Sequence, residues 1–229
     1  MMRIELNHDD HSALREFIDA HGDAAQGHRP EWMRVMVDGL RHRPCSLTAW
    51  RDGQVVGWLP LVETRSFLFG RHLASLPYVN EAGVLAADAA AAEALVEKAR
   101  TLARRRRARF VELRNRHPVN CDELTSVRTD KVRMTRVLPD TPDALWSDIS
   151  SKVRNQVRKG EKSGLNVRWG GERLLDAFYH VFAINMRDLG TPVYPRRVFE
   201  AVLRRFADDA ELGVGDLKGD PVAGALLLN

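Results

Sequence analysis

The sequence predicts an α+β fold (mixed α/β): a central mixed sheet flanked by helices, arranged as two tandem units. Three observations predict it. The chain reads as helices, then a meander of strands, then a long helix and a further strand, an order suited to a mixed sheet. A strand, tight turn and strand occur twice: Leu47–Leu61 aligns with Gly213–Leu227, placing Gly53 on Gly219, Val56 on Val222 and Leu61 on Leu227. The offset of 166 residues is domain-sized, not solenoid-sized. Between the copies, Pro139-Asp140-Thr141-Pro142 punctuates the chain and opens a new helix. The expected units are 1–138 and 139–229. The second copy stops at Asn229, the counterpart of position 63, so the second unit is expected to hold only the N-terminal half of its domain.

In the first unit, Asp9 or Asp10 caps a helix over His11–Ala20, with Leu14, Phe17 and Ile18 on one face. Pro30 occupies a first helical position. It opens a helix over Glu31–Leu40 with Trp32, Val35, Met36 and Leu40 as its apolar stripe. Ser46–Trp50 and Gln54–Glu63 form a hairpin around Arg51-Asp52-Gly53. Leu73–Val79 reads as a strand, Asp88 caps an Ala-rich helix to about Arg106, and Arg109–Arg114 is a strand. His117–Asp130 is a polar loop, and Lys131–Leu138 alternates like an edge or crossing strand.

In the second unit, a helix runs from Pro142 to about Lys162 with Leu145, Ile149, Val153 and Val157 at four-residue spacing. Asn166–Trp169 is a short strand. Glu172–Leu189 is an amphipathic helix with Leu174, Leu175, Phe178, Val181, Phe182 and Met186 inward, stopped by Gly190. Tyr194-Pro195 opens a last helix to about Phe206, and the second hairpin follows.

Composition excludes several classes. A hydrophobic share of 44% supports a globular core, and no run of apolar residues is long enough to span a membrane. No apolar run follows Met1-Met2-Arg3, so no signal peptide is visible. The net charge of +4 permits anionic partners without requiring them. Cys45 and Cys121 match no metal or redox spacing, which fits a reduced, cytoplasmic setting. The histidines do not cluster as ligands, so no metal site is expected; His8 and His11, the closest pair, read as surface residues.

Three segments carry candidate chemistry. In Lys152–Lys162, Arg154, Arg158 and Lys162 recur every four residues and share a helical face, while Lys152 and Lys159 lie seven apart on another. Like charges at this spacing repel by about 0.2–0.5 kcal/mol per pair. A bridging phosphate held by guanidinium forks would relieve that repulsion; the alternative is a solvated basic face. Asn185–Pro195 crowds Asn185, Arg187, Asp188, Thr191 and Tyr194 into a helix end and a proline-restrained loop. It reads equally as a binding loop or as a helix cap with an Arg187–Asp188 surface pair. Tyr78, Asn80 and Glu81 follow a strand and either line a cleft or form a plain loop. Arg104–Arg107 complements the dipole at a helix C-terminus and lacks the interleaved aromatics of a nucleic-acid platform. Walker, dinucleotide and nucleophile-elbow motifs are absent. So is the phosphate-cradling turn of acetyl-coenzyme A transferases; Thr64–Gly70 after the first hairpin matches it poorly.

His28–Trp32, the Asp52–Leu61 hairpin and Lys152–Lys159 resemble the FemAB family, and Asn185–Tyr194 resembles its branch associated with the exosortase and exopolysaccharide system. The resemblance covers nearly the whole chain. It implies tandem acyltransferase domains of the GNAT type and transfer of an acyl or aminoacyl group to a cell-envelope or exopolysaccharide precursor. Classical members use aminoacyl-tRNA and no coenzyme A; an acyl thioester is the other donor. By resemblance, Lys152, Arg154, Asn155, Arg158 and Lys159 offer an anionic substrate, or tRNA, a binding surface. Asn185, Arg187, Thr191 and Tyr194, with Tyr78, complete the expected substrate-binding set. Family members run on by roughly a hundred residues, so catalytic residues placed there do not carry over; Asp188 is the remaining candidate base. Two other readings stay open: an acetyl-coenzyme A-dependent N-acetyltransferase, and a non-catalytic RNA- or phosphate-binding module. The apolar strand Val222–Leu228 is expected to offer an unpaired edge for self-association.

Overall fold

The computed structural model describes residues 1–7, 12–66, 70–119, 121–122, 124–130, 132 and 134–229. In chain order the elements are β1 (Met2–Leu6), α1 (Ser12–Ala20), α2 (Glu31–Leu40), β2 (Arg43–Pro44), β3 (Leu47–Arg51), β4 (Gln54–Leu59), β5 (Val62–Ser66), β6 (Gly70–Ala74), β7 (Leu85–Ala86), α3 (Ala89–Arg105) and β8 (Val111–Glu112). Then come α4 (Pro142–Asp148), α5 (Ser151–Lys162), β9 (Leu165–Gly170), α6 (Leu175–Asp188), α7 (Arg196–Arg205), β10 (Ala210–Leu217) and β11 (Asp220–Leu228). The chain forms two compact units, 1–128 with 197–205, and 129–196 with 206–229. The Pro139–Pro142 punctuation stands at the start of α4, where Thr141 Oγ1 accepts the Ala144 N–H and Pro142 fills a first-turn position.

The first unit holds two sheets, β1-β3-β4-β7 and β2-β5-β6-β8, antiparallel except for the β6–β8 pair. Helix α3, capped by Asp88, packs on β3 and β4. Its Leu95, Ala99, Leu102 and Ala103 close over Leu47, Ala49, Leu59, Leu61 and Leu73. Each leucine so buried contributes about 1.5–3 kcal/mol relative to exposure. The α7 segment of this unit lies on α2. A Cβ on Gly39 would meet Val198 Cα at 2.9 Å, Arg197 Nε donates to Gly39 O, and Asp38 takes Arg204 and Arg205.

The second unit holds the antiparallel sheet β11-β10-β9, with α6 packed on β11 and β10. Leu174, Leu175, Phe178, Phe206, Leu212 and Val214 are its buried apolar residues. Gly213 leaves room for the Trp169 ring, whose nearest atom would come within 2.6 Å of an added Cβ.

The two hairpins share one geometry. In each, the central turn residues have positive φ: Asp52 49° and Gly53 82°, Lys218 55° and Gly219 95°. This is the turn whose twist suits two-residue hairpins. In each, the register slips by one residue at the same place. Ala49 pairs with Gly57 but Trp50 with Val55, and Gly215 pairs with Ala223 but Asp216 with Pro221. The bulged residues are thus Val56 and Val222. In each, the strand preceding the helices pairs antiparallel with the first hairpin strand, β1 on β3 and β9 on β10.

Several elements differ from the sequence expectation. The helix over Pro142–Lys162 is two helices, because Ser150 leaves helical geometry and caps α5 through the Val153 N–H. The strand over Gln54–Glu63 breaks at Pro60-Leu61 and enters two different sheets. Leu73–Val79 leaves β-structure after Ala74, since Leu76 and Tyr78 take φ of 51° and 74°. Arg109–Arg114 shrinks to β8, and the described residues of Lys131–Leu138 form no strand. Strand β1 was not anticipated. The expected caps Asp9 and Asp10, the residues His8 and His11, and Phe67–Phe69 lie outside the described residues, as do Lys131 and Arg133.

Candidate functional site

Helix α5 carries the predicted basic face, yet its two arginines are engaged by the chain itself. Arg154 Nη1 donates to the carbonyls of Trp146, Ser147 and Ile149 at 3.1, 3.0 and 2.5 Å, satisfying groups left open at the C-terminus of α4. The Arg158 guanidinium stands 5.6 Å over the Trp146 ring. These two side chains tie the elbow between α4 and α5. Lys152, Asn155 and Lys159 are exposed on the same helix.

The second segment closes onto α6. Gly190, at φ 66°, and Thr191 turn their N–H groups back to the carbonyls of Arg187 and Met186. Tyr179 Oη donates to Tyr194 O at 3.0 Å, and the Phe182 and Tyr194 rings lie 5.9 Å apart. The loop is therefore pinned along the helix rather than left loose. Between them runs a groove of about 580 Å³ lined by Asp176, Tyr179, His180, Ile184, Arg187 and Val193. Asp176 is paired with Arg196 at 2.7 Å. The structure thus brings Arg187 and the backbone of Tyr194 together with Asp176, Tyr179 and His180, which sequence reasoning passed over. Their signal was present: positions 176, 180, 184 and 187 share one helical face, but the apolar face of the same helix dominates its pattern. Asp188 does not line the groove. Its carboxylate accepts Arg187 Nε and Nη2 at 3.1 and 2.9 Å, and both side chains are exposed. Asn185 is exposed in the last turn of α6 and Thr191 is exposed in the loop beyond it; neither lines the groove, and no α5 residue does.

Tyr78 belongs to the first unit and sits in a loop held on several sides. Arg114 donates Nη1 to Val79 O and its N–H to Ser75 Oγ, and Ala82 donates to Arg114 O. A Cβ on Gly27 would lie 1.9 Å from Glu81 O, so glycine is required there. Buried His28 accepts the Ala25 N–H at Nδ1, which leaves Nε2 to donate to Gly83 O at 3.3 Å. Burial pushes its pKa down against these backbone bonds, so the neutral tautomer holds. The Tyr78 ring stacks on His42, 6.4 Å between centroids. Tyr78 holds a φ of 74° in this clamped loop, with its side chain half-exposed. Among the described residues no cluster of His, Cys, Asp and Glu suits a metal ion, and no helix is long and apolar enough to cross a membrane.

Against known proteins, residues 147–229 match the family model for the acetyltransferase (GNAT) domain, a little over a third of the chain. No curated protein matches the sequence. Among solved structures, a crystal structure of FemX is similar with a TM-score of 0.57 and 17% identity, over 93% of this chain and 58% of the FemX chain. The chain therefore spans a little over half the length of FemX. The likeness is one of fold: a mixed α+β, FemX-like architecture containing a segment of GNAT type.

Proposed function

We propose that the chain belongs to an acyltransferase of the FemAB type, built from two GNAT-like units. In this reading an acceptor amine or hydroxyl attacks an activated acyl ester or thioester. The observation that carries it is the groove on α6, which falls inside the segment matching the GNAT domain and combines an imidazole, a carboxylate and a guanidinium. His180 serves as the base that takes the acceptor proton, with Asp176 one turn earlier on the same face. Arg187 supplies positive charge for a donor phosphate or a developing oxyanion, and the exposed Lys152 and Lys159 of α5 attract an anionic donor. Aminoacyl-tRNA or an acyl thioester is the donor, and a cell-envelope or exopolysaccharide precursor in the cytoplasm is the acceptor.

The test is mass-spectrometric detection of an acylated amine acceptor with aminoacyl-tRNA or acyl-coenzyme A as donor. Transfer should fall at least about 100-fold in His180→Ala, the usual contribution of a positioned base; transfer at the wild-type rate in that variant removes the assignment. The matched family description favours a second reading, acetyl-coenzyme A-dependent N-acetylation. Thermal stabilisation by acetyl-coenzyme A but not by aminoacyl-tRNA selects it. Binding of RNA that falls steeply with salt, with no transfer from either donor, selects a non-catalytic module instead. The β11 edge, exposed at Val222 and Leu227, is proposed as a pairing surface for a second copy, and a monomer in light scattering refutes that.

A further inference from the structure

We propose that Arg65, Arg71 and Arg106, gathered around the buried Glu63, form a site in the first unit for a phosphate or diphosphate group. This site is independent of the groove on α6 and does not rest on the acyl-transfer reading.

Strands β5 and β6 pair so that Arg65 stands directly opposite Arg71, with Glu63 two residues along on the same face. Arg106 arrives from the C-terminal end of α3. Glu63 Oε1 accepts from Arg65 Nε at 2.5 Å and forms an ion pair with Arg71 Nε at 3.4 Å, and Oε2 accepts from Arg106 Nη1 at 2.8 Å. Arg71 Nη1 also donates to Arg106 O at 2.5 Å, which braces the cluster. Burial raises the Glu63 pKa, but the hydrogen bonds from Arg106 and Arg65 outweigh it and hold the carboxyl below its ordinary range. It is therefore ionised, and one negative charge faces three positive ones.

A structural carboxylate needs one arginine; three leave two charges uncompensated, with like charges opposed across a strand pair. The carboxylate is fully buried, whereas the Arg65 and Arg71 side chains are 51% and 36% exposed. The terminal nitrogens of Arg65 and Nη2 of Arg71 have no acceptor among the described residues, and guanidinium forks match phosphate oxygens. A dianion would neutralise the surplus. Because all three guanidiniums converge on one carboxylate, the site suits a compact group rather than an extended polymer. Arg104, Arg105 and Arg107 close by raise the local potential further.

Isothermal titration calorimetry with sodium diphosphate at fixed ionic strength tests this on the full chain. Wild type should bind saturably, and Arg65→Gln and Arg71→Gln should each weaken the Kd by about fivefold or more. Arg3→Gln, a surface arginine on β1, should leave it unchanged. Circular dichroism checks folding, and Arg65→Lys, which keeps charge but loses the fork, should fall between. Absence of saturable binding, or equal Kd values in all variants, overturns the proposal. So does binding of a short single-stranded RNA that diphosphate does not displace, which would make the patch a polymer surface.

Discussion

Arg154→Ala separates the structural from the binding role of the basic helix. As a sequence, Arg154 reads as a ligand for anions whose removal costs little stability. In the structure its Nη1 serves three main-chain carbonyls at the end of α4. A hydrogen bond from a charged donor contributes about 1.5–3 kcal/mol. One nitrogen with two hydrogens serves three acceptors incompletely, and the site is only part-buried, so the loss should be about 1–2 kcal/mol. Arg158→Ala loses an exposed cation–π contact with Trp146 and should cost about 0.5–1 kcal/mol. The two substitutions disturb one elbow, so the double variant should cost less than their sum. Urea unfolding gives the totals, and hydrogen exchange across 142–162 gives the location. Exchange at wild-type rates in α4, with stability changed by less than about 0.3 kcal/mol, would refute the capping role.

Three further outcomes are expected. Trp58→Phe removes the indole donor to the buried His28 carbonyl, 2.9 Å away, and should destabilise by at least about 1–3 kcal/mol, read as a Tm drop of several degrees. The Arg51 hydrogen bond, aided by the Ala91 N–H, holds Asp88 down to about 2 against an unfolded value of 3.8. Its folded-state pKa is depressed, so its contribution is full above about pH 4 and is lost as pH falls toward 2; the stability gap between wild type and Asp88→Asn in urea melts should close over that window. Burial pushes the Cys45 thiol up to about 12, so a thiol reagent at pH 8 should leave it unlabelled until the protein is unfolded, and rapid native labelling of Cys45 by mass spectrometry would contradict its burial.

Much of the architecture was legible because it rests on local signals. Asp88 caps α3 as its sequence position suggests, Gly53 and Gly219 sit in left-handed turns, and Gly190 ends α6. What was not legible depends on partners distant in sequence or on single capping contacts. Strand β1 alternates, with Met2, Ile4 and Leu6 set against Arg3 and Glu5, but five residues are a short signal, and it is pairing with β3, 41 to 49 residues on, that holds them as a strand. The break between α4 and α5 is invisible in the apolar spacing of Leu145, Ile149, Val153 and Val157, because a capping serine and a back-bonded arginine decide it. The candidate groove shows the same division. Arg187 and Tyr194 drew notice through their prolines and charge, while His180 and Asp176 lay hidden on the polar face of an amphipathic helix.

The duplicated hairpin shows which level of structure each signal controls. Both copies keep the same positive-φ turn and the same one-residue bulge, although their surroundings differ. In the first copy β7 pairs with β4 at Gly57 and Trp58, and Ala87 N–H donates to the bulged Val56 carbonyl. Val55, Trp58 and Leu59 are there buried. In the second copy Val222, Ala223, Gly224 and Ala225 are exposed, and among the described residues no strand lies beyond β11. Turn chemistry therefore sets register and bulge without help from burial, since it survives where burial is withdrawn. Side-chain size follows burial instead: Trp58 fills a packed position where its counterpart, Gly224, lets Phe178 approach to within 3.0 Å of where a Cβ would stand. The repeat is accordingly read most securely from its turn and bulge, and least from the residues between them.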